Sequence, residues 1–182
     1  MNFLAILRGI NVGGKRKILM KDLKELFEVN GCTNIITYIQ SGNILFSSSG
    51  EKDTIQLENL IEKEILARFG FNVPAIVLPV PEVAIAIKEN PFYNDESDIS
   101  QLHLTVLRSE PDKSLISEIK EKDFNGDSFE ITGRKVFIKC KGKYSQSKLT
   151  NQLFENKLKV IATTRNWKTV LKIQQLIEEN IN

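Results

Sequence analysis

Phe3 to Leu7 is apolar at every position, which predicts a strand buried on both faces. After a glycine-rich stretch, MKDLKELFEVNG sets Met20, Leu23, Leu26 and Phe27 at helical spacing and stops at Asn30-Gly31. IITYIQSGNILFSS reads as two strands around a turn at Ser41-Gly42-Asn43. DTIQLENLIEKEILARFG predicts an amphipathic helix ending at Gly70. Its apolar side carries Ile55, Leu57, Leu60, Ile61, Ile65, Leu66 and Phe69. PAIVLPV is a short strand bounded by prolines, so the order is β-α-β-β-α-β.

The pattern then returns. Pro81 to Asn90 predicts a connecting helix, and NPFYNDESDISQ an acidic loop. LHLTVLR is a strand, and PDKSLISEIKEK a helix with Pro111 early, where its missing N–H costs little. DSFEITGRKVFIKC is two strands turning at Thr132-Gly133, SQSKLTNQLFENK a helix and LKVIATT a strand. NWKTVLKIQQLIEEN closes the chain as a helix. The repeated order predicts an α+β fold, a duplicated ferredoxin-like (βαββαβ) plait of two lobes with antiparallel sheets. Residues 1–79 form the first lobe and 80–101 the connecting helix and acidic loop. Residues 102–182 form the second lobe with the C-terminal helix. Strands apolar on both faces further predict that the sheets' second faces are covered, in one compact two-lobed body.

The halves align through pattern. Leu7-Arg8 answers Leu107-Arg108 at an offset of 100, and Gly42 answers Gly133 at 91. The difference falls between the first strand and first helix, so the glycine-rich stretch is length beyond what the topology needs. Extra length in such a connection points to a functional loop.

Composition narrows the class without naming a reaction. Of 182 residues, 41% are hydrophobic and 26% charged, the balance of a globular domain with an ordinary core. Net charge is only +2, which by itself implies no polyanionic partner. No apolar run approaches the roughly 18 residues of a membrane span, and the N-terminus lacks a signal peptide's pattern. Cys32 and Cys140 are far apart and show no metal-ligand spacing. The expectation is a cytoplasmic protein without cofactor, metal or membrane association.

The chemistry concentrates in LRGINVGGKRK, Leu7 to Lys17. Gly9, Gly14 and Lys15 have P-loop spacing, but Arg16 stands where a P-loop needs Ser or Thr to reach magnesium. The helix also starts near Met20 and not at the lysine, and no strand ending in an acidic metal ligand follows. A looser anion loop survives these failures. Gly13-Gly14 can turn backbone N–H groups toward one point, with Asn11 beside them and Arg8, Lys15, Arg16 and Lys17 supplying charge. Charge is also segregated: Arg134 to Lys148 holds six cations and no carboxylate, and Asn156 to Ile177 five and none. Ser145 or Ser147 is the expected N-cap of its helix, with Lys148 in the first turn. Thr163 or Thr164 is the expected cap of the last helix, with Arg165 and Asn166 beside it. Cations at helix N-termini oppose the macrodipole, and a bound anion relieves that.

Other residues read as structural. His103, the only histidine, has no identifiable nucleophile or orienting acid. Cys140 reads as a packing residue. Trp167 is set to pack beside Val170 and Leu171 more than to stack on a base. Gln40, Ser41 and Asn43 fit turn chemistry, and Asp22, Glu25 and Glu28 a solvated helix face.

LRGINVGGKRK, YIQSGNILF, SKLT and TTRNWKTVLK together resemble the domain of unknown function 1697 family, from the first strand to the last helix. KYSQ stands before SKLT where a glycine-containing turn is expected. The resemblance implies an α+β fold of two ferredoxin-like lobes. It implies no activity and supplies no catalytic residues. The leading expectation is binding of a phosphate-bearing small molecule or a nucleic-acid backbone at the basic glycine-rich loop. Arg8, Asn11, Gly13, Gly14, Lys15, Ser147, Lys148, Thr164, Arg165 and Asn166 are the candidates, and they must gather in space to act together. An enzyme acting at a cleft between the lobes and a protein-interaction scaffold are the alternatives. Ligand, reaction and oligomeric state are not readable from the sequence.

Overall fold

A computed structural model of the protein describes residues 1–50 and 53–180. The elements run β1 (Asn2–Leu7), α1 (Met20–Val29), β2 (Cys32–Tyr38), β3 (Asn43–Ser48), α2 (Thr54–Phe69) and β4 (Ala75–Pro79). After α3 (Pro81–Glu89) come β5 (Leu102–Leu107), α4 (Lys113–Lys120), β6 (Ser128–Thr132), β7 (Lys135–Lys139), α5 (Asn151–Leu158), β8 (Ala162–Asn166) and α6 (Trp167–Asn180). Each β-α-β-β-α-β set makes a four-stranded antiparallel sheet, ordered β2-β3-β1-β4 and β6-β7-β5-β8. This is the ferredoxin-like plait, present twice. Backbone contacts divide the chain into two compact units: Met1–Val83 with the chain end from Leu176, and Ala84–Gln175.

In the first unit the apolar run behaves as its pattern predicts, and Phe3 to Leu7 are all buried. Phe3, Ala5 and Leu7 share a core with Leu23, Leu26 and Phe27 of α1 and Leu57, Ile61 and Ile65 of α2. Phe46 of β3 meets the Phe27 ring edge-on at 5.0 Å. α2 starts in a capping box between Asp53 and Gln56 and stops at left-handed Gly70. Its buried side is narrower than predicted, because Ile55 and Leu66 are 63% and 43% exposed. Glu58, a charged residue, is buried in their stead. β4 is an outer strand. Glu58 accepts the Val77 N–H and Glu62 the Ala75 N–H, each at 2.9 Å, so the helix takes donors that strand pairing does not.

The second unit repeats the device. Glu155 of α5 accepts the Ala162 N–H of outer strand β8 at 3.1 Å. One turn earlier Asn151 accepts from the Thr164 hydroxyl at 2.6 Å. The core gathers Leu107, Val136, Ile138, Cys140, Phe154 and Leu158.

The pairing corrects the alignment of the halves. Leu7 N–H donates to the Gly42 carbonyl and Leu107 N–H to the Arg134 carbonyl, both at 2.8 Å, so Arg134 and not Gly133 holds the place of Gly42. The surplus length sits where the sequence put it. The β1–α1 connection has twelve residues and the β5–α4 connection five.

Two boundaries also differ. The helix expected over SQSKLTNQLFENK is a 3-10 turn at Tyr144–Gln146, an extended step, and only then α5. The Ser147 hydroxyl accepts the Leu149 N–H at 3.0 Å, a local bond that competes with helix capping. Thr150 caps α5, accepting from Leu153 N–H at 3.2 Å, so neither Ser145 nor Ser147 is the cap and Lys148 is not in the first turn. The last strand starts at Ala162 and not Leu158, because Leu158 ends α5 as a buried core residue. Among the described residues no helix is long and apolar enough to cross a membrane.

Candidate functional site

The sequence candidates divide between the units. Arg8, Asn11, Gly13, Gly14 and Lys15 lie in the first, and Ser147, Lys148, Thr164, Arg165 and Asn166 in the second.

In the first unit the glycine-rich connection is a small hairpin. Ile10 and Ile18 are buried in the core, 1% and 2% exposed, and anchor its two legs. Val12 pairs with Lys15, whose N–H donates to the Val12 carbonyl at 3.1 Å. Gly13 and Gly14 form the tip at φ 58 and 73, both left-handed, as the tightest hairpin turn requires. One backbone N–H of the supposed cradle is therefore spent inside the turn. Asn11 is spent as well. Its amide donates to the carbonyls of Ile18 (3.0 Å) and Gln40 (2.8 Å), and its Oδ1 accepts the Ile18 N–H (2.9 Å). It clamps the loop to the β2–β3 turn. Arg8 is half-buried and its backbone N–H donates to the Pro74 carbonyl at 2.9 Å. Gly13, Gly14 and Lys15 are exposed.

In the second unit the β8–α6 junction is differently built than expected. Thr163 and Thr164 are strand residues, registered against Val106 and Thr105. The Thr164 and Thr105 hydroxyls lie 2.6 Å apart. Asn166 caps α6, its Oδ1 accepting the Thr169 N–H at 2.8 Å. Arg165 turns onto its own strand, donating to the Thr163 hydroxyl (3.1 Å) and the Thr164 carbonyl (2.9 Å). Burial pushes its guanidinium down to about 10, which leaves it charged at neutral pH.

Ser147 and Lys148 line a hollow of about 250 Å³, with Phe124, Asn125, Asp127, Lys141, Gly142, Lys143 and Gln146. Thr164, Arg165 and Asn166 are not part of its lining. Its geometry starts in the turn before β6. Asn125 is left-handed at φ 60 and Gly126 at φ 90, so the chain reverses and sends Asp127 back. Asp127 Oδ1 then accepts the Lys141 N–H at 2.8 Å, which ties this turn to the segment after β7. That segment follows with Gly142, Lys143, the 3-10 turn and Lys148. The carboxylate-free run from Arg134 overlaps this region, and only part of it bears on the hollow. Lys135 is tied to Glu89 at 2.5 Å, and Arg134 donates to the Arg108 carbonyl at 3.2 Å. The reading missed Phe124, Asn125 and Asp127. The Asn125-Gly126 dipeptide was the available signal, since it marks a tight reversal.

Cys140, Tyr144, His103 and Trp167 are not part of that lining. Cys140 is fully buried. Burial pushes its thiol up, while the Ser147 hydroxyl pulls it down and Asp127 pushes it up further. Tyr144 is raised by burial, against the pull of the Thr164 hydroxyl. His103 stacks on the Tyr144 ring at 4.3 Å, and its Nδ1 is buried without a hydrogen-bond partner. Burial holds its pKa below the usual 6.5, against the backbone oxygen of Gln101. The unfolded chain then takes up the proton first as pH falls. The contribution is full above about pH 6.5 and is lost as pH drops from there through the folded value. Urea midpoints at about pH 7.5 and about pH 5.5 should fall with acid, and the fall should shrink in His103→Gln. Equal falls in both proteins would remove His103 as the cause. Trp167 is fully buried, 5.2 Å from the Tyr93 ring, and is closed to base stacking.

Among the described residues, no three His, Cys, Asp or Glu side chains gather in a way that could hold a metal ion. A family model described as "Protein of unknown function (DUF1697)" matches residues 1–137, so the chain belongs to that family. No curated protein matches the chain. Among solved structures it is similar to the conserved bacterial protein SP0830 from Streptococcus pneumoniae. Identity is 24%, with 97% of this chain and 98% of that one covered at a TM-score of 0.76. At that identity the likeness concerns the fold.

Proposed function

We propose that this member of the DUF1697 family binds an anionic, phosphate-bearing ligand, and that the hollow of the second unit receives it. The observation that carries the reading is the lining itself. Lys141, Lys143 and Lys148 face about 250 Å³ of open space with Asp127 as the one carboxylate among them. Three lysines against one carboxylate leave the lining with a surplus of positive charge, which a bound anion offsets. Gly142 and the Ser147 hydroxyl let a ligand come close to the backbone. The glycine hairpin of the first unit is a second basic element, but an exposed tip surrounds a ligand less than a hollow does.

Inorganic phosphate is the simplest probe. Titration should move the backbone amide resonances of Lys141 to Lys148, and Lys148→Glu should weaken the affinity about tenfold or more, since it reverses a charge at the site. Wild-type protein whose amides in this segment do not respond to phosphate would contradict the proposal. Salt dependence sorts the ligand class. A nucleic-acid backbone held by several lysines loses affinity steeply with salt, whereas a single phosphate does so weakly.

A further inference from the structure

The hollow carries a second kind of chemistry besides positive charge. Asp127 lies in its lining with Oδ1 already accepting the Lys141 N–H. An ionised carboxylate only accepts hydrogen bonds, so its other oxygen repels phosphate and takes a hydroxyl or N–H. Asn125 and Gln146 add side-chain amides, which pair with either sense of a hydroxyl. Lining charge is three lysines against one aspartate. The surplus matches a phosphate monoester, which carries roughly −1.5 to −2 at neutral pH. The hollow, about 250 Å³ and open to solvent, leaves room for more than a bare phosphate ion.

We infer that the hollow takes the phosphate monoester of a small polyhydroxylated molecule, of the sugar-phosphate class. The phosphate sits among Lys141, Lys143 and Lys148, and a ligand hydroxyl donates to Asp127. The inference rests on the anion-binding reading above and adds the body of the ligand to it. A nucleic-acid strand is disfavoured, because each of its diesters carries one charge against the lining's surplus of two.

The test compares affinities of the wild-type chain for glycerol phosphate, ribose phosphate, glucose phosphate, inorganic phosphate and a single-stranded oligonucleotide, by calorimetry at fixed salt. At least one of the three esters should bind about tenfold tighter than inorganic phosphate. Asp127→Asn keeps an oxygen for the Lys141 N–H and removes the charged acceptor. It should lower that ratio severalfold without weakening inorganic phosphate, since an amide pairs with a hydroxyl more weakly than a carboxylate does. Should every ester match inorganic phosphate, the inference fails while anion binding stands. Should nothing bind, both fail. Tight binding of the oligonucleotide alone, with a steep salt slope, also overturns the inference. The wild-type ratio decides even if the Asp127→Asn chain does not fold.

Discussion

Gly42→Ala should be the most damaging small substitution in the first unit, lowering stability by about 3 to 4 kcal/mol. Two separate causes add. Gly42 holds φ 77, a left-handed conformation that costs an L-residue roughly 1 to 2 kcal/mol. A Cβ there would also stand 2.7 Å from Leu7 Cβ and 2.8 Å from Ile10 Cδ1, both in the packed core. Leu7 Cβ is fixed to its strand backbone and the Ile10 terminal methyl is buried in the core, and overpacking of that kind costs about 1 to 3 kcal/mol. The carbonyl of Gly42 receives the Leu7 N–H at 2.8 Å, so any retreat of the turn breaks the end of the β1–β3 ladder. Gly14→Ala is the control. It has the same sign of φ, at 73, with nothing within 4 Å of its Cβ, so it should lose about 1 kcal/mol. In thermal melts the Gly42 variant should fall by roughly 10 °C for a chain of this size. Equal midpoints for the two variants would show that the contact with Leu7 and Ile10 carries no cost.

Glu58→Ala should follow closely, at about 3 kcal/mol. Glu58 is 1% exposed, and its carboxylate accepts the Val77 N–H at 2.9 Å. Truncation leaves a buried donor unpaired, which costs about 1 to 3 kcal/mol, and removes buried side-chain volume. Glu58→Gln keeps the acceptor and should cost about 1 kcal/mol or less. The readout is the urea midpoint together with hydrogen exchange at Val77, whose protection should drop in the alanine variant and persist in the glutamine one. Equal losses in both variants would mean that the charge matters and the bond to β4 does not.

The repeat of β-α-β-β-α-β was legible because each strand and helix announces its own period, as at Phe3–Leu7 and Met20–Phe27. Registration was less so. Gly42 and Gly133 look equivalent as letters, but the second hairpin turns in two residues where the first uses four, and Arg134 takes the structural place. Caps failed for a related reason. Ser147, Thr150, Thr163, Thr164 and Asn166 are all chemically able to cap, and tertiary pairing decides among them. Thr163 and Thr164 are claimed by strand β8, Ser147 by a local turn, and the helices fall to Thr150 and Asn166. Glu58 was illegible because pattern reading assigns a carboxylate to the solvent side, and only the outer strand's open N–H explains its position. Of the hollow, the lysines were visible as a carboxylate-free run. Asp127 was not, because it arrives from a turn some fourteen residues earlier in the chain.

The hairpin at Gly13-Gly14 has a practical use. Its legs are fastened below the tip, by Ile10 and Ile18 in the core and by the Asn11 amide, while a side chain at either glycine would meet open space. Extra sequence spliced between the two glycines would thus be carried outward without disturbing what is anchored beneath. An epitope or a fluorophore-bearing cysteine grafted there would report on the molecule while leaving the lysine-lined hollow unaltered in sequence.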